Sequence, residues 1–206
     1  MRYIFLLLAF WGIIMGESAT AQDVVQKIST AQSVAVKTNL LYGAYTLTPN
    51  LGVEAGLNKH LSLDFSVGYN PWNRKGAGVS NRKAVHWLVN SEVRYWLDRP
   101  FEGHFFGAHA LYSFYNISGK KLPLLLGKDS KRYRYEGFAV GGGLSYGYRW
   151  PFARKWSADF TLGLGYARLR YDRYDCARCG EKNGSGMTRN YFGPARVGIS
   201  LIYLIR

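Results

Sequence analysis

The stretch that decides the fold runs from Gly137 to Leu169 and reads GFAVGGGLSYGYRW, then PFARK, then WSADFTLGLGYARL. In the first arm, apolar and aromatic residues alternate with small or polar ones, and the second arm repeats this pattern. Alternation with a period of two residues is typical of a β-strand and not of an α-helix. One face is mostly glycine and the other is rich in aromatic residues. In a soluble sheet the apolar face would pack on a core and the other face would carry polar residues for water. An aromatic face opposite a glycine-rich face instead suits a barrel whose outside touches lipid and whose inside is narrow.

The same alternation recurs along the chain and predicts eight strands, several of them long enough to cross a bilayer at a tilt. We expect them at Ser33–Tyr45, Asn50–Leu57, Leu61–Asn70, Ala84–Leu97, His104–Asn116, the two arms of the Gly137–Leu169 hairpin, and Tyr191–Ile205. The fold class predicted is therefore all-β, an eight-stranded antiparallel up-and-down transmembrane β-barrel over residues 33–206.

The connections between these strands differ in length at the two ends of the predicted barrel. At one end they are short, at Asn58–His60, Asp98–Gly103 and Pro151–Lys155. At the other end they are long, at Pro71–Lys83, Ile117–Tyr135 and Tyr171–Asn190, except for a short first connection at Thr46–Pro49. Short periplasmic turns and longer external loops are typical of outer-membrane barrels.

Tyrosine and tryptophan on the predicted outward face lie at two levels, as they do at the two interfaces of a membrane. The level beside the short turns holds Tyr95, Tyr148, Trp150 and Trp156, and the level near the long loops holds Tyr69, Trp72 and Tyr112. The alternative is a soluble barrel or sandwich in which these aromatic residues belong to the core.

Residues 1–21 have the pattern of a secretory signal peptide. Arg2 is followed by the apolar run Tyr3–Met15 and by the small-x-small sequence Ala19-Thr20-Ala21. Residues 22–32 are polar and aperiodic, and we expect a flexible N-terminal lead there. No later stretch contains about 18 consecutive apolar residues, so no helical membrane span is predicted. Secretion together with alternating strands indicates localisation in the outer membrane.

The formal net charge is +14, and the basic residues cluster in the predicted long loops. A basic surface is often merely solvated, but it also suits nucleic acid or anionic lipid. The signal peptide argues against a nucleic-acid partner. The expected partners are outer-membrane lipid and the phosphate groups of lipopolysaccharide beside the loops.

The predicted inward face carries a balanced set of ionisable residues. They are Lys37, Glu54, Asp64, Glu92, Arg94, Arg149, Asp159 and Arg196. The interior of an eight-stranded barrel is only wide enough for side chains, and buried charges must pair. We therefore expect a closed charge network that holds the barrel shut, with a proton or ion path as the alternative.

No catalytic motif stands out. The histidines are His60, His86, His104 and His109, and no Gly-x-Ser-x-Gly sequence is present. His109 and Ser113 share a strand face but lie about 13 Å apart at the strand rise, which is beyond hydrogen-bond reach. We expect no enzyme activity, no cofactor and no metal site; a lipid-modifying enzyme using a histidine and a residue on a neighbouring strand is the alternative.

Cys176 and Cys179 form a Cys-Ala-Arg-Cys sequence in the last predicted loop. Such a pair is compatible with a local disulfide, half a zinc site or a redox motif. An oxidising compartment favours the disulfide, and the helix start that a redox motif needs is absent from the pattern.

Several stretches, among them LGVEAGLNKHLSLDFSVGYNPW (51–72), HWLVNSEVRYWL (86–97) and RNYFGPARVGISLIYLI (189–205), resemble a Bacteroidota family of small outer-membrane proteins catalogued as a domain of unknown function. The resemblance covers about Val34–Ile205 and implies an eight-stranded barrel without established catalytic residues. Some relatives sit beside genes for fimbrial subunits and anchors, so the resemblance also implies a role with surface fibres.

The function expected from these observations is that of a monomeric integral outer-membrane barrel with a closed interior. Its role would be structural or in surface interaction, without catalysis. The alternatives are an outer-membrane lipid-modifying enzyme and a soluble periplasmic ligand-binding barrel.

Overall fold

The computed structural model describes residues 34–74, 82–119, 133–175 and 180–205. The signal peptide and the lead predicted at residues 1–32 lie outside these ranges, and so do Cys176 and Cys179 with their predicted disulfide. The described chain consists almost wholly of β-strands.

The elements follow one another with few interruptions. In chain order they are β1 (Val34–Asn39), α1 (Leu40–Thr46), β2 (Asn50–Gly56), β3 (Leu61–Asn70), β4 (Asn73–Arg74), β5 (Arg82–Trp96), β6 (Gly103–Ser118), β7 (Arg134–Pro151), β8 (Trp156–Tyr174) and β9 (Lys182–Leu204).

The strands form one closed antiparallel sheet. Each strand pairs with its neighbour in sequence, and β9 returns to pair with β1 through the register Thr38 to Leu201. The two-residue β4 continues the pairing of β3 along β5. The sheet is therefore a ring of eight antiparallel strands, consistent with the predicted up-and-down barrel.

The first strand is shorter than predicted. It ends at Asn39, and Leu40–Thr46 is helical, so the prediction of a strand up to Tyr45 was wrong. Asn39 caps this helix, because its side chain accepts a hydrogen bond from the Leu41 amide at 3.0 Å. The connection from β1 to β2 is consequently long, and the short first connection expected at Thr46–Pro49 does not occur.

The last hairpin is longer than predicted. Strands β8 and β9 continue to Tyr174 and from Lys182, whereas the sequence placed a loop at Tyr171–Asn190. Polar and basic residues on both faces of this extension hide the alternation that marks the rest of the ring. The hairpin therefore extends well past the point at which β1 gives way to α1.

Along β8 the alternation of faces is regular. Asp159, Thr161, Gly163, Gly165 and Ala167 are buried inside the ring, whereas the residues between them are exposed. The connections at one end of the ring, which we call the short-turn end, are the turns 57–60, 97–102 and 152–155. We call the opposite end, which holds α1 and the β8–β9 extension, the long-loop end.

Candidate functional site

The inner face of the ring gathers all eight residues of the predicted charge network. Lys37, Glu54, Asp64, Glu92, Arg94, Arg149, Asp159 and Arg196 lie on β1, β2, β3, β5, β7, β8 and β9. Every one of them takes part in an ion pair with another member of the set. The four acids and four bases have no net formal charge.

Arg94 is the centre of this network. Its Nε donates to Glu92 Oε2 at 2.6 Å, and its Nη1 donates to Asp159 Oδ2 at 2.8 Å. The same Nη1 lies 3.2 Å from Glu54 Oε2. One buried guanidinium therefore links strands β2, β5 and β8 across the interior.

Arg149 doubles the link between two of these carboxylates. Its Nη2 donates to Glu54 Oε2 at 2.6 Å and to Asp159 Oδ2 at 3.0 Å. Arg94 and Arg149 are both fully buried. Removing one of them would leave buried carboxylates with fewer counter-charges, and breaking a buried ion pair in this way is strongly destabilising.

Asp64 links the two strands, β1 and β9, whose pairing closes the ring. It forms ion pairs with Lys37 of β1 and with Arg196 of β9, the latter at 3.0 Å. Arg196 also lies 3.2 Å from Glu92. The first and last strands are therefore joined through a carboxylate on β3 as well as through backbone hydrogen bonds.

Hydroxyl groups complete the carboxylate surroundings. Ser62 Oγ donates to Glu54 Oε1 at 2.6 Å, and Ser145 Oγ donates to Glu92 Oε1. Gly107 leaves room for the second contact, because a Cβ there would collide with Glu92 and Ser145. A small residue on the inner face thus makes space for a long charged one from a neighbouring strand.

An aromatic plug, formed by Trp96, Phe101 and Phe105, closes the interior at the short-turn end. Trp96 packs on Phe101 and Phe105 with ring centroids 6.1 Å and 4.8 Å apart. The guanidinium of Arg94 lies 4.2 Å from the Phe105 centroid, and that of Arg149 lies 4.9 Å from the Trp96 ring. The plug therefore excludes water from the network and offers its arginines cation–π contacts.

Phe101 reaches the plug from a turn. Its φ of 72° lies in the left-handed region, which is unfavourable for a bulky residue. Burial of the ring beneath Trp96 offsets that strain. The turn between β5 and β6 thus places the Phe101 side chain inside the ring, where it helps to close the short-turn end.

The plug was not anticipated from the sequence. Trp96 and Phe105 share strand parity with the inward residues Arg94 and His109, so strand parity could have identified them. Phe101 lies in a turn, where no periodicity indicates the direction of a side chain.

One cavity on the inner face of the ring is small. A cavity of about 30 Å³ is lined by residues that include Asn90, Thr161 and Arg196. This volume suits roughly one water molecule. His109 is buried nearby on β6, and neither ring nitrogen has a hydrogen-bond partner in the described part of the chain.

Among the described residues, Ser113 does not pair with a histidine, whereas His86 Nε2 lies 3.3 Å from the Thr48 hydroxyl. Ser113 Oγ donates to the Trp87 carbonyl oxygen at 2.9 Å, and His86 Nδ1 lies 2.9 Å from the Ala84 carbonyl oxygen. His104 Nδ1 lies 2.6 Å from the Tyr146 hydroxyl, and His60 Nδ1 lies 3.1 Å from the Trp96 carbonyl oxygen. No group of three or more metal-binding side chains occurs within residues 34–74, 82–119, 133–175 and 180–205.

The outer face of the ring is an apolar belt, which we define by the outward residues of the strands between the two ends. On β8 it comprises Trp156, Ala158, Phe160, Leu162, Leu164 and Tyr166, and on β7 Trp150, Tyr148, Tyr146, Leu144, Gly142 and Val140. Leu144 is 72% exposed. On β3 and β5 the outward positions are likewise apolar, from Leu63 to Tyr69 and from Trp87 to Tyr95, apart from Ser91.

Aromatic residues flank the belt at both levels. Tyr95, Tyr148, Trp150 and Trp156 are exposed toward the short-turn end, and Tyr69, Trp72 and Tyr112 are exposed toward the long-loop end. Trp72 also donates through Nε1 to the Leu47 carbonyl oxygen at 2.6 Å. Its ring is thereby held against the segment that follows α1.

Beyond the belt, the extension of β8 and β9 carries charged residues. Asp172 forms an ion pair with Lys182 at 2.7 Å and accepts a hydrogen bond from the Gly186 amide at 2.8 Å. The hydrogen bond from Lys182 lowers the pKa of the Asp172 carboxyl, and the same contact raises the pKa of Lys182. These groups therefore stay ionised in solvent at the tip of the hairpin.

Comparison with known proteins identifies a family for the chain. No curated protein and no solved structure matches the chain. Among the described residues, no helix is long and apolar enough to cross a membrane. The family described as "Protein of unknown function (DUF3575)" matches residues 18–205, which is most of the sequence. The chain therefore belongs to the DUF3575 family.

Proposed function

We propose that the protein is an integral outer-membrane β-barrel with a closed interior, which serves a structural or surface-interaction role without catalysis. The observation that carries this proposal is the outer belt. Among the described residues, no Asp, Glu, Lys or Arg interrupts the outward positions from Trp156 to Tyr166 on β8 or from Val140 to Trp150 on β7. In water, so large an exposed apolar surface would promote aggregation.

The height of the belt fits a membrane. Ten residue steps separate Trp156 from Tyr166, and each adds about 3.3 Å along a strand. At the tilt of about 40° that is usual in barrels, this run spans roughly 25 Å. Outer-membrane barrels carry an apolar band of about 25 Å flanked by aromatic residues. The aromatic residues at both ends of the belt agree with that arrangement.

The interior supports a closed barrel rather than a pore. Arg94, Arg149 and their carboxylate partners cross the lumen, and Trp96, Phe101 and Phe105 fill its short-turn end. The cavity of about 30 Å³ is far smaller than the several hundred Å³ that a small-molecule site needs. The geometry thus favours a structural barrel over the ligand-binding alternative.

The partners proposed are outer-membrane lipid and lipopolysaccharide, contacted by the belt and by the basic long-loop end. We propose that the barrel is monomeric and that its long-loop end faces outward, where it would meet surface proteins. A link to fimbrial assembly rests on the family resemblance of the sequence and has no support of its own in the geometry.

Cell fractionation tests the membrane assignment. The full chain should be recovered in the outer-membrane fraction, and its unheated form should migrate differently from its heated form in detergent gels. Recovery in the soluble periplasm would overturn the proposal. In planar bilayers the inserted protein should show no large steady conductance, and such a conductance would overturn the closed interior.

The absence of catalysis has a separate test. Alanine replacement of His60, His86, His104 and His109, one at a time, should leave the lipid composition of the envelope unchanged. A change in lipid acylation or headgroup with one of these variants alone would favour the lipid-modifying enzyme.

A further inference from the structure

The outward face of β8 changes character abruptly at one end of the belt. Phe160, Leu162, Leu164 and Tyr166 are followed at the next two outward positions by Arg168 and Arg170. Both arginines are exposed. Their Cα atoms are separated by about 6.6 Å at the strand rise, so both guanidinium groups can reach one anionic group.

Polar side chains lie beside the two arginines on the neighbouring strand. Arg168 is opposite Asn190 of β9, and Arg170 is opposite Thr188. On the other side, Val140 and Phe138 of β7 occupy the corresponding positions. One patch of hydrogen-bond donors is therefore formed by the two guanidinium groups, an amide and a hydroxyl. We call this patch the arginine rim; it lies at the edge of the apolar belt that faces the long-loop end.

The arginine rim has no carboxylate of its own. The acids farther along the same face are already engaged, since Glu136 lies 3.8 Å from Arg134 and Asp172 lies 2.7 Å from Lys182. Within the part of the chain that the structure describes, Arg168 and Arg170 take part in no ion pair. These two arginines, which follow the belt on β8, are therefore available for an external anion.

The surface directly below the rim suits acyl chains. Tyr166 of β8 is opposite Phe192 of β9, and Phe192 is 78% exposed. Leu164 adds a further exposed apolar side chain one outward position lower. A cationic donor patch immediately beside an exposed aromatic pair matches a molecule that joins a phosphate to hydrocarbon chains.

We propose that the arginine rim binds the phosphate of a membrane lipid headgroup whose acyl chains lie along Tyr166 and Phe192. Guanidinium groups favour phosphate because their N–H donors match its oxygen atoms in pairs. This inference rests on the proposed membrane location and adds to it a defined lipid contact on one side of the ring. The occupant is a lipid-borne phosphate and not free phosphate, because the apolar pair supplies half of the site.

Native mass spectrometry of the full-length protein in detergent tests the rim. The probes are dioleoylphosphatidic acid, dioleoylglycerol, which has the same chains without the phosphate, and inorganic phosphate. Wild type should retain phosphatidic acid in preference to the other two. Arg168→Gln and Arg170→Gln should each weaken that retention roughly fivefold, and the double variant roughly 25-fold.

Arg154→Gln is the matched control, because Arg154 is an exposed cation in the turn at the opposite end of the ring. It should retain phosphatidic acid as wild type does. The proposal would be overturned if wild type and R168Q/R170Q retained phosphatidic acid equally. It would also be overturned if R154Q lost as much phosphatidic acid as R168Q/R170Q. Retention of inorganic phosphate as strong as that of phosphatidic acid would also overturn it.

Insertion of the same variants into phosphatidylcholine vesicles separates this inference from the proposed function. Normal insertion without phosphatidic acid selectivity would overturn the rim alone. Failure of wild type to insert would overturn the membrane proposal and the rim together.

Discussion

The two faces of β8 are built from alternate residues of one strand, yet they differ in what specifies them. Outside, Phe160, Leu162 and Leu164 are exposed, and other apolar side chains would fit at their positions in the belt. Inside, Asp159 needs Arg94 and Arg149, which come from two other strands. The outer face therefore requires only that its residues be apolar, whereas the inner face requires particular charged residues on particular strands.

This difference has an energetic side. Exchange of one apolar residue for another on the belt should change the free energy of unfolding little, because the lipid proposed to surround the belt is uniformly apolar. Loss of one charged partner inside leaves the others buried with fewer counter-charges. The interior should consequently be the more sensitive of the two faces to substitution.

The largest effect should follow Arg94→Met. This change leaves Glu54, Glu92 and Asp159 with fewer counter-charges, and we expect the free energy of unfolding to fall by about 3–5 kcal/mol. Urea unfolding of the protein in phospholipid vesicles measures it. Arg99→Met is the control, since the Arg99 side chain is 75% exposed in its pair with Glu102 and its loss should cost less than about 1 kcal/mol. Equal losses would mean that the interior is solvated.

The second-largest loss of unfolding free energy should follow Leu162→Arg, and it should occur only when the protein is in a bilayer. Leu162 is near the middle of the belt on β8, and an arginine at the midplane of a membrane barrel costs about 2–4 kcal/mol of unfolding free energy. Tyr166→Arg, at the edge of the belt, should cost about 0–1 kcal/mol. The two variants are compared by urea unfolding in the same vesicles. A neutral Leu162→Arg would instead indicate that this face lies in water.

A smaller effect is expected for Gly143→Ala. A methyl group at this inner-face position would collide with the β8 backbone at Leu164 and Gly165. Such overpacking costs about 1–3 kcal/mol, measured as a shift in the urea midpoint. Gly43→Ala in α1 is the matched control, because nothing lies within 4 Å of the added methyl. If both substitutions behaved alike, the close approach of β7 to β8 would not limit side-chain size.

The smallest effect should be at the tip of the hairpin, outside both faces. Because the pKa of Asp172 is lowered by Lys182, its contribution is present while the carboxylate is ionised and is lost as pH falls through that lowered pKa. In Lys182→Gln the pKa of Asp172 should move up toward its ordinary value, as followed by the carboxyl carbon shift in NMR. Lys59→Gln, in a turn at the opposite end of the ring, should leave the pKa of Asp172 where it is. An unchanged pKa in K182Q would show that the ion pair is not formed in solution.

The contrast between the faces also explains what could be predicted from sequence. The parity of a strand decides which way a residue points, so the inward orientation of Glu92 and Arg94 and the ring of eight strands follow from local alternation. The pairing of Arg94 with Asp159, or of Arg196 with Asp64, depends on the register between strands that are distant in sequence. No local pattern contains that information.

Two parts of the fold were mispredicted for local reasons. Leu40–Thr46 contains apolar residues at positions that fit a strand, and the capping side chain of Asn39 was the overlooked sign of a helix. In the β8–β9 extension, polar and basic residues on both faces obscure the hydrophobic alternation, although Tyr171 is buried inside the ring. The pattern therefore gave no sign of the paired strands between Tyr171 and Asn190.

The seam between β1 and β9 has a consequence for how the protein reaches its final state. The Ile205 amide donates to the Val34 carbonyl oxygen at 2.8 Å, and Lys37 and Arg196 meet at the same carboxylate of Asp64. The Ile205 bond and the Arg196–Asp64 pair form only when the last strand has been made and has paired with the first, whereas the Lys37–Asp64 pair joins β1 and β3 alone. The charge network should therefore be completed in the same step that closes the sheet, and a chain arrested before β9 would hold an open edge and would lack Arg196, the partner that Asp64 and Glu92 share.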